Sequence, residues 1–245
     1  MLALGFATGP AVLAAVGTSG WPPYLAGAAL FALASLPLAL AQGLTPEPRG
    51  GRERGVLSFL LAAPTATLAA LVFGAVETGG FALLALYGLR LGFEPETAAY
   101  LLTAVALGNV ALQIPIGLLS DRIDRRLVLL ASGLSGLAGA ALLPVVAANG
   151  ATFFAVLFVW GGLIGALYTV GLAHLGARFS GGDLVSANAA FVILYNVGLV
   201  LGPPLVGAGM DAAPPHGFAW TLAAFCALYV AVVAGRLAAA ARPRP

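Results

Sequence analysis

The chain has 245 residues, of which 61% are hydrophobic and 8% are charged, and its net charge is +2. Soluble domains carry about 25% charged residues, so this composition excludes a water-soluble globular protein and indicates that lipid surrounds most of the surface. No basic face suggests a nucleic-acid partner. The single cysteine, Cys226, excludes a disulfide within the chain.

Eight apolar runs predict an all-α, multi-pass membrane protein with about eight transmembrane helices. About 20 residues that rise 1.5 Å each cross the roughly 30 Å of bilayer hydrocarbon. The third run is long for one crossing, so we expect it to tilt, to extend past the bilayer, or to be kinked or ended at Pro64. The runs are 1–18, 22–41, 57–87, 96–119, 127–148, 151–177, 184–208 and 217–240.

The arginines predict how these runs are oriented. If the first run leads outward, ten of the eleven basic residues fall on one side of the membrane, and Arg90 alone falls on the other. Cytoplasmic loops carry the excess of basic residues. We therefore expect a protein of the cell membrane with segment 42–56 and the C-terminus in the cytoplasm.

The densest charge cluster lies between the fourth and fifth runs. Its spacing is Gly-x-x-x-Asp-Arg-x-x-Arg-Arg, formed by Gly117, Asp121, Arg122, Arg125 and Arg126. The spacing is similar to the loop signature of the major facilitator superfamily of secondary transporters, and the chain resembles that family. The resemblance implies that the glycine lets helices approach closely and that the aspartate and arginines form a latch that holds the cytoplasmic side closed.

The resemblance also implies a function. We expect secondary active transport of a small solute by alternating access in a lipid bilayer, with proton-coupled efflux as one form of it. It implies no enzyme, cofactor or metal.

A repeated motif suggests which helices of that family are present. The motif has two glycines four residues apart followed by a proline. Such small-xxx-small pairs predict close helix packing, and the proline predicts a kink. Because the family consists of two parallel six-helix repeats, the resemblance assigns 1–41 to the last two helices of the N-terminal bundle, 42–56 to a cytoplasmic linker and 57–245 to the C-terminal six-helix bundle. The two copies, 193 residues apart, are Gly5, Gly9, Pro10 and Gly198, Gly202, Pro203.

This assignment leaves the family's first four helices without a counterpart. We therefore expect an N-terminally truncated transporter. The alternative is a non-transporting membrane protein that acts as a fragment or as an assembly partner.

Glu77 is the one acidic residue that we place inside an apolar run. An ionised carboxylate at the bilayer centre costs about 2.5–3.5 kcal/mol on insertion scales. We therefore expect Glu77 to face a cavity or to be protonated, and to act in proton coupling or substrate contact. The alternative is a neutral acid that hydrogen-bonds to a neighbouring helix.

Other polar side chains inside the runs need partners because lipid offers none. Asn109 and Gln113 lie four residues apart, hence on one helix face, and are candidates for substrate contact. Tyr168 and the pair Tyr195 and Asn196 are similar candidates, for which we favour interhelical packing.

An enzymatic alternative comes from Gly-Leu-Ser-Gly at 133–136 and from His174, which resemble rhomboid protease motifs. In that family a whole helix separates the serine and histidine helices, whereas here the two motifs lie on consecutive runs. This topology argues against a Ser–His dyad.

Overall fold

The computed structural model describes residues 12, 16–17, 20–40 and 56–241. The predicted first run therefore lies almost entirely outside the described residues, as do Gly5, Gly9 and Pro10 and all but the last residue of the predicted linker. The chain divides into two units, Met1–Arg49 and Gly50–Pro245.

The described part of the first unit contains helix α1, Pro22–Leu40, which matches the second predicted run. Two prolines open this helix, where their missing N–H groups would have had no helical partner. Most of its described side chains are exposed, and Phe31, for example, is 79% exposed. A helix that is apolar on nearly all sides is suited to lipid or to packing against other helices.

The second unit consists of seven helices over its described residues. The six long ones, α3 to α8, are each long and apolar enough to cross a membrane. They match the last six predicted runs, and the all-helical prediction is confirmed. The helices are α2 Val56–Ala62, α3 Pro64–Arg90, α4 Pro95–Arg122, α5 Arg125–Val146, α6 Gly150–Arg178, α7 Gly181–Ala212 and α8 Gly217–Ala241.

The long third run is divided at Ala63, which separates α2 from α3. Ala63 has φ −129° and ψ 49°, outside the helical region, and Pro64 is the first residue of α3. A residue before proline is pushed out of the helical region by the proline ring. The expectation that Pro64 marks a helix end is confirmed.

Glycines bring two pairs of helices unusually close. On α7, Gly198 and Gly202 lie directly against the backbone of α3, and on α3, Gly74 and Gly79 lie against α7. Without a hydrophobic force between helices in lipid, such small residues allow the close packing that holds helices together. α7 remains helical through Pro203.

The second close pair is α4 with α6. Gly108 on α4 lies against the Phe158 carbonyl, and three glycines on α6, at 161, 162 and 165, lie against α4. The core of the unit is filled by large side chains from all six long helices. Trp160, the largest of them, donates from its indole nitrogen to the Gly136 carbonyl on α5 at 3.0 Å.

Candidate functional site

Glu77 is the central residue of the 27-residue helix α3. Its Oε2 accepts a hydrogen bond of 2.6 Å from the hydroxyl of Tyr195 on α7. Both side chains are half-buried. The sequence indicates both residues as candidates but does not pair them, since they are 118 positions apart in the chain.

The pair exists because α3 and α7 touch at backbone level. A Cβ atom at Gly74 would collide with the main-chain oxygen of Tyr195. One turn further along, the Thr78 hydroxyl lies 2.9 Å from the Leu199 carbonyl on α7 and 2.9 Å from the Gly74 carbonyl on its own helix. Polar contacts at mid-helix therefore join the two helices at two neighbouring points.

Four aromatic rings pack beside this hydrogen bond, and we call Phe73, Tyr168, Phe191 and Tyr195 the aromatic cluster. Phe73 and Tyr195 are nearly parallel, with ring centres 6.2 Å apart. Tyr168 on α6 meets Tyr195 edge to face at 5.0 Å and Phe73 at 5.8 Å. Tyr168 and Glu77, both predicted as functional residues, are thus brought to the same place.

Asn109 and Gln113 lie elsewhere, in a crevice between α4 and α6. The crevice is narrow and has essentially no room for a molecule the size of water. The Asn109 amide lies where a side chain at Gly165 would stand, and its nitrogen is 3.5 Å from the Gly161 carbonyl. Thr169 also lines the crevice, next to Tyr168 in the chain. The crevice and the aromatic cluster therefore lie at the same level of α6 but on different faces of it.

Asn196 does not join either group. Its side chain is exposed, and its amide nitrogen donates to the Val192 carbonyl one turn back on α7, at 2.7 Å. This bond is made within α7 and does not involve another helix. A role in substrate contact stays a prediction.

The charged loop between α4 and α5 is held by short-range contacts. Asp121 and Arg125 form an ion pair at 3.1 Å, and the same arginine donates to the Ala173 carbonyl on α6 at 3.3 Å. Asp124 caps α5 by accepting from the Arg126 backbone N–H at 2.8 Å, which satisfies one of the free donors of that helix end.

None of the remaining signature residues is buried among the described residues. Arg122 and Arg126 are exposed. At Gly117, no atom of the described residues lies within 4 Å of the position that a Cβ would take. The role of these residues in a latch stays a prediction.

A polar cluster at the opposite end of the bundle was not predicted. Arg90, at the end of α3, pairs with Asp211 at 2.9 Å and donates to the Met210 carbonyl, also at 2.9 Å. Nearby, the Tyr87 hydroxyl and His216 Nδ1 are 3.0 Å apart. The available signal was that the predicted outside connections contain one basic residue, Arg90, and that Asp211 is the only acid of the last of them.

Six bilayer-length apolar helices, with polar side chains paired at mid-helix, define a multi-pass helical membrane protein. Residues 66–245 match the sequence profile of the Major Facilitator Superfamily. The chain belongs to that family, and the predicted resemblance is confirmed.

The chain is also similar to a protein named "Uncharacterized MFS-type transporter YfkF" from Bacillus subtilis (strain 168). The two are 29% identical over 211 residues, which make up 82% of this chain and 52% of the relative. The chain thus spans about half the length of the curated relative that it matches.

Metal binding has no apparent site in the part of the chain that the structure describes. No group of three or more His, Cys, Asp or Glu side chains there could hold an ion. The titratable group that the site offers is instead a single carboxyl with a hydroxyl partner.

Proposed function

We propose that the protein formed by this chain is a secondary transporter that moves a small solute across the cell membrane by alternating access. Family membership and the transporter name of the relative support this class over an enzyme. We also propose the organisation that the sequence predicts. Segment 42–56 and the C-terminus lie in the cytoplasm, and residues 57–245 form the C-terminal bundle. The loop that contains Asp121 holds the cytoplasmic side closed.

The observation that carries this proposal is the hydrogen bond between Glu77 and Tyr195 at the middle of two membrane helices. Ionisable residues inside a membrane are costly and therefore mark pathways for solutes and protons. Tyr195 holds one carboxyl oxygen in place, and the half-buried side chain leaves the group within reach of a solute or a proton.

In this proposal Glu77 takes and releases the coupling proton, or touches the solute, as access alternates between the two sides. Tyr195 orients the carboxyl group. Tyr168 belongs to the wall of the same site, and Asn109 and Gln113 provide polar contacts in the neighbouring crevice.

A proton-flux measurement tests the proposal. The natural gene product that contains this chain is reconstituted in liposomes with a trapped pH-sensitive dye, and sugars, amino acids, organic cations and organic anions are added in turn. We expect one class to move protons. Glu77→Gln should abolish that flux, because an amide cannot exchange a proton, while Glu96→Gln, an exposed acid in the first turn of α4, should keep it.

Undiminished flux in Glu77→Gln would remove Glu77 from the mechanism. Absence of flux with every solute class, in a protein that is folded and inserted, would favour the alternative of a non-transporting membrane protein. Tyr195→Phe, which deletes only the hydroxyl, should retain part of the flux, because the carboxyl group remains but is no longer held.

A further inference from the structure

Glu77 stands apart in the charge distribution of α3 to α8. All other acidic and basic residues of these helices lie within about two turns of a helix end or in the connections. Neither of the ion pairs among the described residues includes Glu77. When this carboxyl group is ionised, no basic side chain among the described residues therefore forms an ion pair with it.

The hydrogen bonding of the carboxyl group is also incomplete. Tyr195 donates to Oε2, whereas Oε1 receives no hydrogen bond from a described residue. If Oε1 were fully buried, it would be a buried oxygen without a hydrogen-bond partner, and it is not one of these. Oε1 is therefore at least partly exposed at the surface. An ionised carboxylate can accept several hydrogen bonds, and this one has an oxygen free for a ligand.

Aromatic residues lie on the same helix face as this carboxyl group and on the helices beside it. Phe73 and Phe81 lie four residues before and after Glu77, hence on the same face of α3. Tyr168 and Tyr195 come from the two neighbouring helices α6 and α7. Aromatic faces attract cations, most strongly where water is excluded, and they also provide apolar surface.

These features select among ligand classes. An anion would meet an unbalanced negative charge, and a neutral solute would leave that charge unbalanced. A bare metal ion would need further ligands, and the described residues offer no group of three that could hold one. A cation with a large apolar part satisfies both the carboxylate and the rings.

We infer that the Glu77 site binds a lipophilic organic cation, whose charge pairs with Glu77 and whose apolar groups lie against the aromatic cluster. This inference rests on the proposed function, in which the same site carries the transported solute. It narrows the solute to one chemical class.

A binding experiment with two ions of matched shape tests the inference. Purified protein in an uncharged detergent is dialysed against labelled tetraphenylphosphonium, a cation, or tetraphenylborate, an anion of the same size, and binding to protein-free micelles is subtracted. We expect saturable binding of the cation only. Glu77→Gln should weaken it by about tenfold or more, which corresponds to about 1.4 kcal/mol.

Matched variants separate charge from folding. Glu77→Asp keeps the charge and should bind the cation, and Glu96→Gln should bind it as the wild type does. Tyr168→Leu removes a ring and should weaken binding, whereas Tyr168→Phe keeps the ring and should not. The Tyr168 pair tests the site independently if Glu77→Gln does not fold.

Equal saturable binding of the anion would overturn the inference, as would wild-type affinity for the cation in Glu77→Gln. The proposed function can fail separately. Flux of another solute that depends on Glu77, without cation binding, would leave transport standing and remove the cation. Cation binding that depends on Glu77, without any solute flux, would support the cation site and contradict the proposed transport.

Discussion

The close approach of α3 and α7 can be tested by adding one methyl group at Gly202. A Cβ there would lie 2.9 Å from the Ala75 Cα and 3.0 Å from its carbonyl carbon. Carbon atoms in favourable contact are about 3.5–4.0 Å apart. The helices would therefore have to separate by about 0.5–1 Å, which would also stretch the 2.9 Å contact of Thr78 with Leu199.

The expected cost of Gly202→Ala follows from this geometry. Extra atoms forced into a well-packed interface cost about 1–3 kcal/mol. For a chain of this size each kcal/mol lowers the melting temperature by roughly 2–4 °C, so we expect a decrease of roughly 2–12 °C. The control is Gly117→Ala on α4, where no described atom lies within 4 Å and alanine is the better helix former.

The chain supplies its own reporter of unfolding. Cys226 is the only cysteine in the sequence and is fully buried on α8, so a fluorogenic thiol reagent reacts when the bundle opens. Heating wild type and variants with this reagent gives the melting temperatures. The steric argument would be refuted if Gly202→Ala had the melting temperature of the wild type. It would also be refuted if Gly117→Ala lowered the melting temperature as much as Gly202→Ala does.

Two further predictions use the same melting assay. Arg90→Gln removes both the ion pair with Asp211 and the bond to the Met210 carbonyl, and we expect a loss of about 1 kcal/mol; Asp211→Asn removes only the exposed pair and should cost less, so the reverse order would contradict the reasoning. Asp124→Ala removes the side-chain cap of α5 and should cost about 0.5–2 kcal/mol, whereas Asp124→Asn, which can still cap, should melt near the wild type.

The helices were predictable because the bilayer dictates them. A chain in lipid must satisfy its backbone within each crossing, so an apolar run of sufficient length becomes a helix whatever its neighbours are. Pro64 was predictable for an equally local reason, since proline restricts the residue before it. Both conclusions needed only residues close together in the sequence.

The sequence indicates the candidate residues of the proposed site, but it does not indicate how they are arranged. Glu77 was recognisable because an acid in an apolar run is rare. Its bond to Tyr195 required knowledge that α3 and α7 are neighbours, and hydropathy does not contain that information. The same limit explains why the contacts of Arg90 with α7 were missed and why Asn109 was not assigned to a crevice with Thr169.

The glycine that packs α3 against α7 and the carboxyl group of Glu77 lie close together on α3. Gly74 lets the Tyr195 backbone touch α3, and Glu77 lies three residues further along, where the Tyr195 hydroxyl reaches it. A larger residue at Gly74 would push Tyr195 away and leave the carboxyl group without its donor. The glycine therefore belongs to the proposed site through packing alone, because it sets how closely the α7 backbone, and with it Tyr195, approaches Glu77.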